Sequence, residues 1–579
     1  MKLILTAINA KYIHSNLALY SLIASTPYPV CKKEYTINQL EQEILMDLYQ
    51  EKPDVLAFSV YIWNVSMVKS LSKELKKLLP DCKIIVGGPE VSYEMETFLR
   101  ENSQIDMILY SEGEDVFRKV VEAYVNGTMD EEKEKIESIA YRKGEEVIVN
   151  TSRSLIKMNE IPFVYDKIED FEHKIIYYES SRGCPFSCSY CLSSIDKSVR
   201  FRDVDIVKKE LQFFLDQKVP QVKFVDRTFN CNHKHSMEIW EYIQSHDNGI
   251  TNFHFEIAAD ILNEDELEIL KKMRPGLIQL EIGVQSTNEK TIEEINRRMD
   301  LEKVKRNVET VRSYANIHQH LDLIAGLPYE DYETFKNSFN EVYDMKPNEL
   351  QLGFLKVLKG SKMFENKEKY GLIYQEKAPY EIFCTKWISY DEIIRLKHLE
   401  EVLEIYYNSS QFKQTLTYLL NYWETPFSFY EQLGDFYEKE GYFLKKHARI
   451  GYYENLLVFV EKECKNKGIE KKVVEELMVY DLYARENLKT RPAFANELSE
   501  YKQLYVELYQ EIGRKNQVDS KWIGKRHHIE TFSFDVFATA KAGRKMGERM
   551  HIYFNYDERN PLTNDASTEI FDRSFHSCI

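Results

Sequence analysis

No stretch of this chain approaches the roughly 20 consecutive apolar residues that a membrane-spanning helix requires. The opening MKLILTAINAKYIHS carries an apolar run too short for a secretion signal and ends in polar residues. It reads as a first core strand, and the expected compartment is the cytoplasm. Basic residues are outnumbered: 77 Lys and Arg against 94 Asp and Glu give a net charge of −17, with no basic footprint for nucleic acid. The local group Lys541, Arg544 and Lys545 reads as a solvated turn. Cysteine is scarce as well, nine in 579 residues, which is no disulfide framework in a long chain of this kind. Cys31, Cys82, Cys231, Cys384, Cys464 and Cys578 are scattered and read as buried or incidental. Internal repeats and low-complexity tracts are absent too. What remains, 43% hydrophobic and 30% charged residues, describes an ordinary globular protein, long enough for about three to four domains.

Short apolar runs at 2–7, 34–37, 55–60, 83–86 and 107–110 alternate with helix-like stretches such as 65–79 and 115–124. This pattern predicts a parallel, doubly wound sheet over residues 1–135, with ligands expected beyond the carboxyl ends of its strands. Residues 136–172 read as a linker containing a small hairpin, 138–142 and 146–150, turned at Lys143-Gly144. A second alternating series runs through 174–180, 221–226, 252–258, 277–283, 319–325 and 350–356. Six strand–helix units over 173–376 suit an incomplete TIM-type barrel, whose chemistry belongs at the carboxyl-terminal mouth. From 377 to 579 the chain turns to long amphipathic helices, such as 391–407, 428–440, 451–464 and 497–512. Alternation at Phe532, Phe534 and Val536, and again at Met550, Ile552 and Phe554, suggests a terminal antiparallel pair. The fold class is α/β with a mainly helical third part.

Three cysteines are not scattered. Cys184, Cys188 and Cys191 stand at spacings of four and three directly after the first strand of the second series. Thiolates so placed can wrap one compact loop around an iron–sulfur cluster. Three ligands leave one iron of a four-iron cluster open, the mark of a reactive centre. Structural zinc wants four ligands, and no fourth Cys or His is close in sequence.

The motif C-x-x-x-C-x-x-C, with Tyr190 before its last cysteine, resembles that of the radical S-adenosylmethionine superfamily. The resemblance implies a [4Fe–4S] cluster whose open iron chelates S-adenosylmethionine, and cleavage to a 5′-deoxyadenosyl radical. It also implies an external electron donor of flavodoxin or ferredoxin type. By position, Glu281 and Gln285 at the end of the fourth strand match residues that contact the ribose and methionine moieties. The segment 320–328, HLDLIAGLP, matches the fifth-strand pattern near the adenine. The family's Gly-Gly-Glu after the second strand is missing; VDRTFN (225–230) stands there, leaving Asp226 or Asn230 for the amino group. Glu256 on the third strand is a further candidate.

The first 135 residues resemble the flavodoxin-like cobalamin-binding domain found ahead of many such barrels. Gly87, Gly88, Pro89 and Glu90 after the fourth strand, and Glu112, Gly113 and Glu114 after the fifth, are the corresponding loops. Asn9, Lys11 and Tyr12 belong to the first. The Asp-x-His-x-x-Gly motif that supplies a lower cobalt ligand elsewhere is absent. His14, the one histidine nearby, is open to a ligand role but reads better as a capping or packing residue; Trp63 lies either against the ring or in the core, and core is the favoured reading. The segments NAKYIHSNLAL and VDRTFN, with the helical extension, resemble a cobalamin-dependent radical subfamily whose last part has no known function. That extension is expected to cap the barrel mouth.

Together these features imply radical methylation of an unactivated carbon of a small-molecule or peptide substrate. Two alternatives stay open: a cobalamin-assisted rearrangement or cyclisation without methyl transfer, and a sensor that binds cobalamin or metal without turnover.

Overall fold

The computed structural model describes residues 1–152, 155–516 and 526–571. Its first sheet is built from β1 (Leu3–Asn9), β2 (Cys31–Thr36), β3 (Val55–Ser59), β4 (Lys83–Gly87) and β5 (Met107–Leu109), all parallel. Strand β1 is buried along its whole length, as an inner strand covered on both faces must be. Leu3, Leu5 and Ala7 feed one core, while Ile4 and Ile8 feed the other. The strand order 2-1-3-4-5 is the flavodoxin-like one, with its switch point between β1 and β3. The expected hairpin forms as β6 (Ile139–Lys143) and β7 (Glu146–Val149). It is not a separate linker element, however: β6 pairs antiparallel with β5 and extends the first sheet. The reason is that Ile139, Ala140 and Tyr141 are apolar and buried against that sheet.

The second sheet opens with β8 (Ile176–Tyr178). Two short strands, β9 (Ser181–Arg182) and β10 (Arg200–Phe201), pair antiparallel just beyond it. Next come β11 (Gln221–Phe224), β12 (Asn252–Ile257), β13 (Ile278–Gln285), β14 (His318–Ala325) and β15 (Glu349–Phe354). They run parallel in the order β8-β11-β12-β13-β14-β15 and form the partial six-stranded barrel that the sequence pattern predicts.

The barrel does not close on itself, so β15 is an edge with unpaired backbone groups. A π-helical turn, Glu404–Asn408, follows the helix Tyr390–Leu403 and meets this edge. Asn408 accepts from the Leu350 N–H at 2.9 Å and donates to the Leu350 carbonyl at 3.0 Å, as a neighbouring strand would. One continuous hydrophobic core runs from the barrel into the helices Pro426–Lys439, Arg449–Lys467 and Lys471–Arg485. A small ribbon, β16 (Ile373–Tyr374) with β17 (Ile382–Cys384), lies at the junction.

The terminal sheet has three strands rather than two: β18 (His527–Phe532), β19 (Met550–Arg559) and β20 (Ala566–Phe571). The first ends at Phe532, because Asp535 caps a short helix, Val536–Ala542, in place of continued strand. Among the described residues no helix is long and apolar enough to cross a membrane.

Candidate functional site

Pairing of β9 with β10 closes residues 183–199 into a loop that carries the three cysteines. Gly183 starts it at φ +101°, where an added Cβ would sit 2.7 Å from the Ser198 carbonyl oxygen, so only glycine fits. Inside the loop the Cys184 amide donates to the Asp196 carbonyl and the Cys191 amide to the Cys188 carbonyl, both at 3.2 Å. The Ser194 hydroxyl, positioned to donate to either, lies 2.9 Å from the Cys188 carbonyl and 2.6 Å from that of Cys191. From outside, Ser189 donates to the Ile295 carbonyl and accepts from the Met363 amide, which seats the loop on the barrel rim.

Cys184 and Cys188 are buried, Cys191 is partly so, and all three are free thiols. Burial pushes the Cys184 thiol up, and Cys191 and Cys188 are near enough to add to that. Thr228 Oγ1 lies 3.7 Å from the Cys184 sulfur, and Arg297 donates to the Cys188 sulfur at 3.7 Å. Among the described residues no three His, Cys, Asp or Glu side chains are grouped tightly enough to hold a single metal ion. Three thiols on one loop, near enough to perturb one another, fit an iron–sulfur cluster, whose irons are held by cysteine thiolates. Of the remaining cysteines, Cys31 is exposed and Cys82 buried, while Cys578 and the side chain of Cys464 lie outside what is described.

The residues expected around S-adenosylmethionine separate into two groups. Tyr190 is partly buried, its hydroxyl accepting from Arg297 at 3.2 Å. Arg297 also donates to the Gly283 carbonyl, tying the cysteine loop to the end of β13. Gln285 sits at that end with φ +74°. Gln285 Oε1, Arg297 Nε and Ser189 Oγ are all buried without a hydrogen-bond partner. Polar atoms left bare in this way fit a polar ligand beside the thiols. Glu256 has burial as its main perturbation, which raises its carboxyl to about 7 although Arg227 stands 3.9 Å away.

Asp226, Asn230 and Glu281 are engaged within the protein instead. Asp226 accepts from the Ser180 amide at 3.0 Å and from the Ser180 and Ser181 hydroxyls at 2.7 and 2.5 Å. Burial still raises it to about 6. Asn230 bonds both backbone groups of Ala258. Glu281 is half-buried, which raises its carboxyl, yet hydrogen bonds with His254 at 2.9 Å and from Lys223 at 3.0 Å bring it down to about 2.

A cavity of about 1020 Å³ lies between the carboxyl ends of the first sheet and the barrel mouth. Asn9, Gly87, Gly88, Pro89, Glu112, Gly113 and Glu114 line it from one side; Tyr177, Gly183, Lys223, Arg227 and Glu256 line it from the other. At Gly88, φ +122°, a Cβ would lie 2.3 Å from the Val60 carbonyl oxygen, so the loop comes as close as backbone can. Trp63 is not core: it is 43% exposed, stacks on Tyr61 at 4.4 Å, and forms part of the cavity wall. Its indole N–H is satisfied by the Ile8 carbonyl, which fixes the ring at the surface. His14 also lines the wall, 2.7 Å from the Tyr177 hydroxyl.

Other expected contacts fall elsewhere. Lys11 and Tyr12 are exposed and outside the lining, Tyr12 by 68%. Glu90 accepts from Tyr380 instead of facing the cavity. Glu112 and Glu114 do face it, but both are ion-paired to arginines of the cysteine loop, Arg200 and Arg182. Among the described residues none beyond Glu256 lines this cavity; the extension instead meets the carboxyl ends of β14 and β15, with the Ile382 amide donating to the Leu355 carbonyl at 2.9 Å and Trp387 packed on Tyr329, and covers the open side of the barrel at β15. Arg182, Arg200, Arg297 and Lys223 are the side chains that sequence reasoning missed. Arg182 adjoins the cysteine motif and could have been found; Arg297 has no local signal.

Three family models match the chain: a B12 binding domain over residues 6–121, the radical SAM superfamily over 178–342, and a protein of unknown function (DUF4080) over 368–554. Among curated proteins the chain is similar to the cobalamin-dependent radical SAM methyltransferase TokK of Streptomyces tokunonensis. Identity is 24% over 57% of this chain and 51% of that protein, so the match spans about half of the relative's length. Among solved structures it resembles the cobalamin-dependent S-adenosylmethionine radical enzyme OxsB with aqua-cobalamin bound: TM-score 0.59, 14% identity, 90% of this chain and 82% of that one. It also resembles the radical S-adenosylmethionine methyltransferase TsrM of Kitasatospora setae, solved with cobalamin and a [4Fe–4S] cluster: TM-score 0.52, 14% identity, 65% and 79% covered.

Proposed function

Since the chain belongs to the radical S-adenosylmethionine superfamily and carries a B12-binding domain ahead of its barrel, we propose that it is a cobalamin-dependent radical methyltransferase acting on an unactivated carbon. One observation carries this reading: Gly183, Leu192, Ser193 and Asp196 of the cysteine loop border the same cavity of about 1020 Å³ as the Gly87–Gly88 loop, with the thiols themselves behind that wall. A single chamber flanked by two cradles is what methyl transfer between two cofactors needs. In this reading residues 1–135 form the cobalamin-binding part and 173–376 the radical barrel.

Bound there, the cluster would supply the electron that breaks a carbon–sulfur bond of S-adenosylmethionine, and the corrin a carrier for the methyl group. The chain's own residues have narrower tasks. Cys184, Cys188 and Cys191 would hold the cluster and leave one position open. Gln285, Arg297 and Ser189 offer bare polar atoms for the ligand at that position. Gly87, Gly88 and the Trp63–Tyr61 stack give the opposite wall a flat, close surface. Glu256 and Arg227 lie between, where they would orient substrate. Enclosure by both domains excludes water from reactive groups and holds them in line. Electrons would come from a donor of flavodoxin or ferredoxin type, and the free thiols suit the reducing cytoplasm.

Anaerobic reconstitution with iron, sulfide and hydroxocobalamin tests the proposal. Expected are the electron paramagnetic resonance signal of a reduced [4Fe–4S] cluster, a bound-corrin absorbance, and 5′-deoxyadenosine after reduction with S-adenosylmethionine. Retention of the cluster after Cys184, Cys188 and Cys191 are all changed to Ala would overturn it. With a true substrate, 5′-deoxyadenosine without a methylated product would leave a rearrangement instead.

A further inference from the structure

The cysteine loop has two feet, β9 and β10, and each foot carries an arginine at its paired position, Arg182 opposite Arg200. Both reach across to the N-terminal domain. Arg182 makes a two-pronged contact with Glu114, 2.8 and 3.2 Å, and stands 3.7 Å from Glu112. Arg200 does the same with Glu112, with Nη1 to Oε2 at 3.0 Å. Glu112 also accepts from the Ile156 amide at 2.7 Å, while Arg200 donates to the Ile156 carbonyl at 2.8 Å. Three separate segments therefore meet in one charged knot: the cysteine loop, the connecting chain at 156, and the start of helix Gly113–Asn126.

The carboxylates are well chosen for this. Glu112 is the capping position of that helix and Glu114 lies in its first turn, where the helix dipole favours negative charge. The pairs are shielded, with Glu112 and Glu114 side chains only 12% and 7% exposed. A fork of two hydrogen bonds fixes angle as well as distance, which a lysine cannot do. Removing a glutamate would break the tie between the domains, leaving Arg182 with Glu179 and Arg200 with Asp196 on their own side of it.

We propose that Glu112, Glu114, Arg182 and Arg200 are positioning residues: a clamp that sets the separation and orientation of the cysteine loop relative to the N-terminal wall of the cavity. The clamp rests on the proposed function for its use, since that separation is the distance between two cofactor cradles, but not for its geometry. Glu112, Glu114 and Arg182 also line the cavity, but the contacts described are among themselves, and the clamp acts through where it holds the loop.

The test uses the full chain without cofactors, under anaerobic reducing conditions, and reads iodoacetamide alkylation of each cysteine by peptide mass spectrometry. Cys184 and Cys188 should react slowly in the wild type. In the double variant Glu112→Gln, Glu114→Gln both should react roughly fivefold faster or more, because the loop opens more often. The comparator Glu179→Gln removes a carboxylate that binds the same arginine from within the barrel. It should stay near the wild-type rate. Unchanged rates in the double variant, or equal acceleration in the comparator, would overturn the clamp. If buried Cys82 becomes reactive as well, the charge-preserving Arg182→Lys decides. The clamp then requires an intermediate rate at Cys184 with Cys82 still closed, and a wild-type rate refutes it. In protein reconstituted with cluster and hydroxocobalamin and then reduced, the double variant should also weaken the magnetic interaction between reduced cluster and cob(II)alamin. A tie serving stability alone would leave that interaction unchanged.

Discussion

At the scale of single residues, the barrel mouth separates carboxylates that serve the fold from one whose cation, Arg227, stands 3.9 Å away. Asp226 takes three hydrogen bonds from Ser180 and Ser181, just before the cysteine loop. Asp226→Ala would strand those buried donors, and a loss of about 2–4 kcal/mol is expected in denaturant melts. Glu256 behaves differently. Burial holds it near 7 against an ordinary 4.5, so between those values the folded chain binds more protons than the unfolded one. Its contribution to stability therefore falls as pH rises through that window and is flat above it. Urea melts from pH 4.5 to 8 should show a shallower decline for Glu256→Gln than for the wild type; identical slopes would mean that Glu256 is ionised throughout. Nothing in the sequence tells these two carboxylates apart. Both end barrel strands in similar contexts, and only the partners brought from Ser180, Ser181 and Arg227 distinguish them.

At the scale of elements, one loop and one turn stand out. The loop after β4 needs glycine at position 88, where both φ and the nearby Val60 carbonyl exclude a side chain. Gly88→Ala should cost about 1–3 kcal/mol through strain and should weaken cobalamin binding, measured by absorbance titration, more than Gly87→Ala does. At the other end of the barrel, Asn408 stands in for a missing strand. Asn408→Ala should speed hydrogen exchange at the Leu350 amide and lower stability by about 1–2 kcal/mol. Equal exchange in both proteins would show that the edge is covered without it. Strand positions were legible because buried parallel strands are continuous apolar runs. The edge cover was not, since a π-helical turn carries no pattern that distinguishes it from the helix it continues.

At the scale of the whole molecule, the cores decide what can stand alone. The first sheet has a core on each face, both made almost entirely of residues before 150. Residues 1–152 are therefore expected to fold as an isolated domain, with cooperative melting by circular dichroism. The barrel is different, because its core is continuous with the extension from Ile388 to Ala566. A chain ending at 376 should expose that apolar surface and aggregate; a monomeric, cooperatively melting truncation would contradict a shared core. The net charge of −17 says nothing of this division, since charge bears on solubility and partners and not on which elements share a core.

The sequence by itself determined the two parallel sheets, their order along the chain and the three-thiol loop at a strand end. Those features are local: a strand's burial shows in its own residues, and ligands on one loop show in their spacing. Only the tertiary structure decided that Trp63 faces a cavity, that Glu112 and Glu114 answer Arg200 and Arg182, and that the helical extension covers the barrel's open side at β15. Each of these joins residues far apart in the chain, and such pairing depends on how separate units dock, for which one sequence holds no periodicity to read.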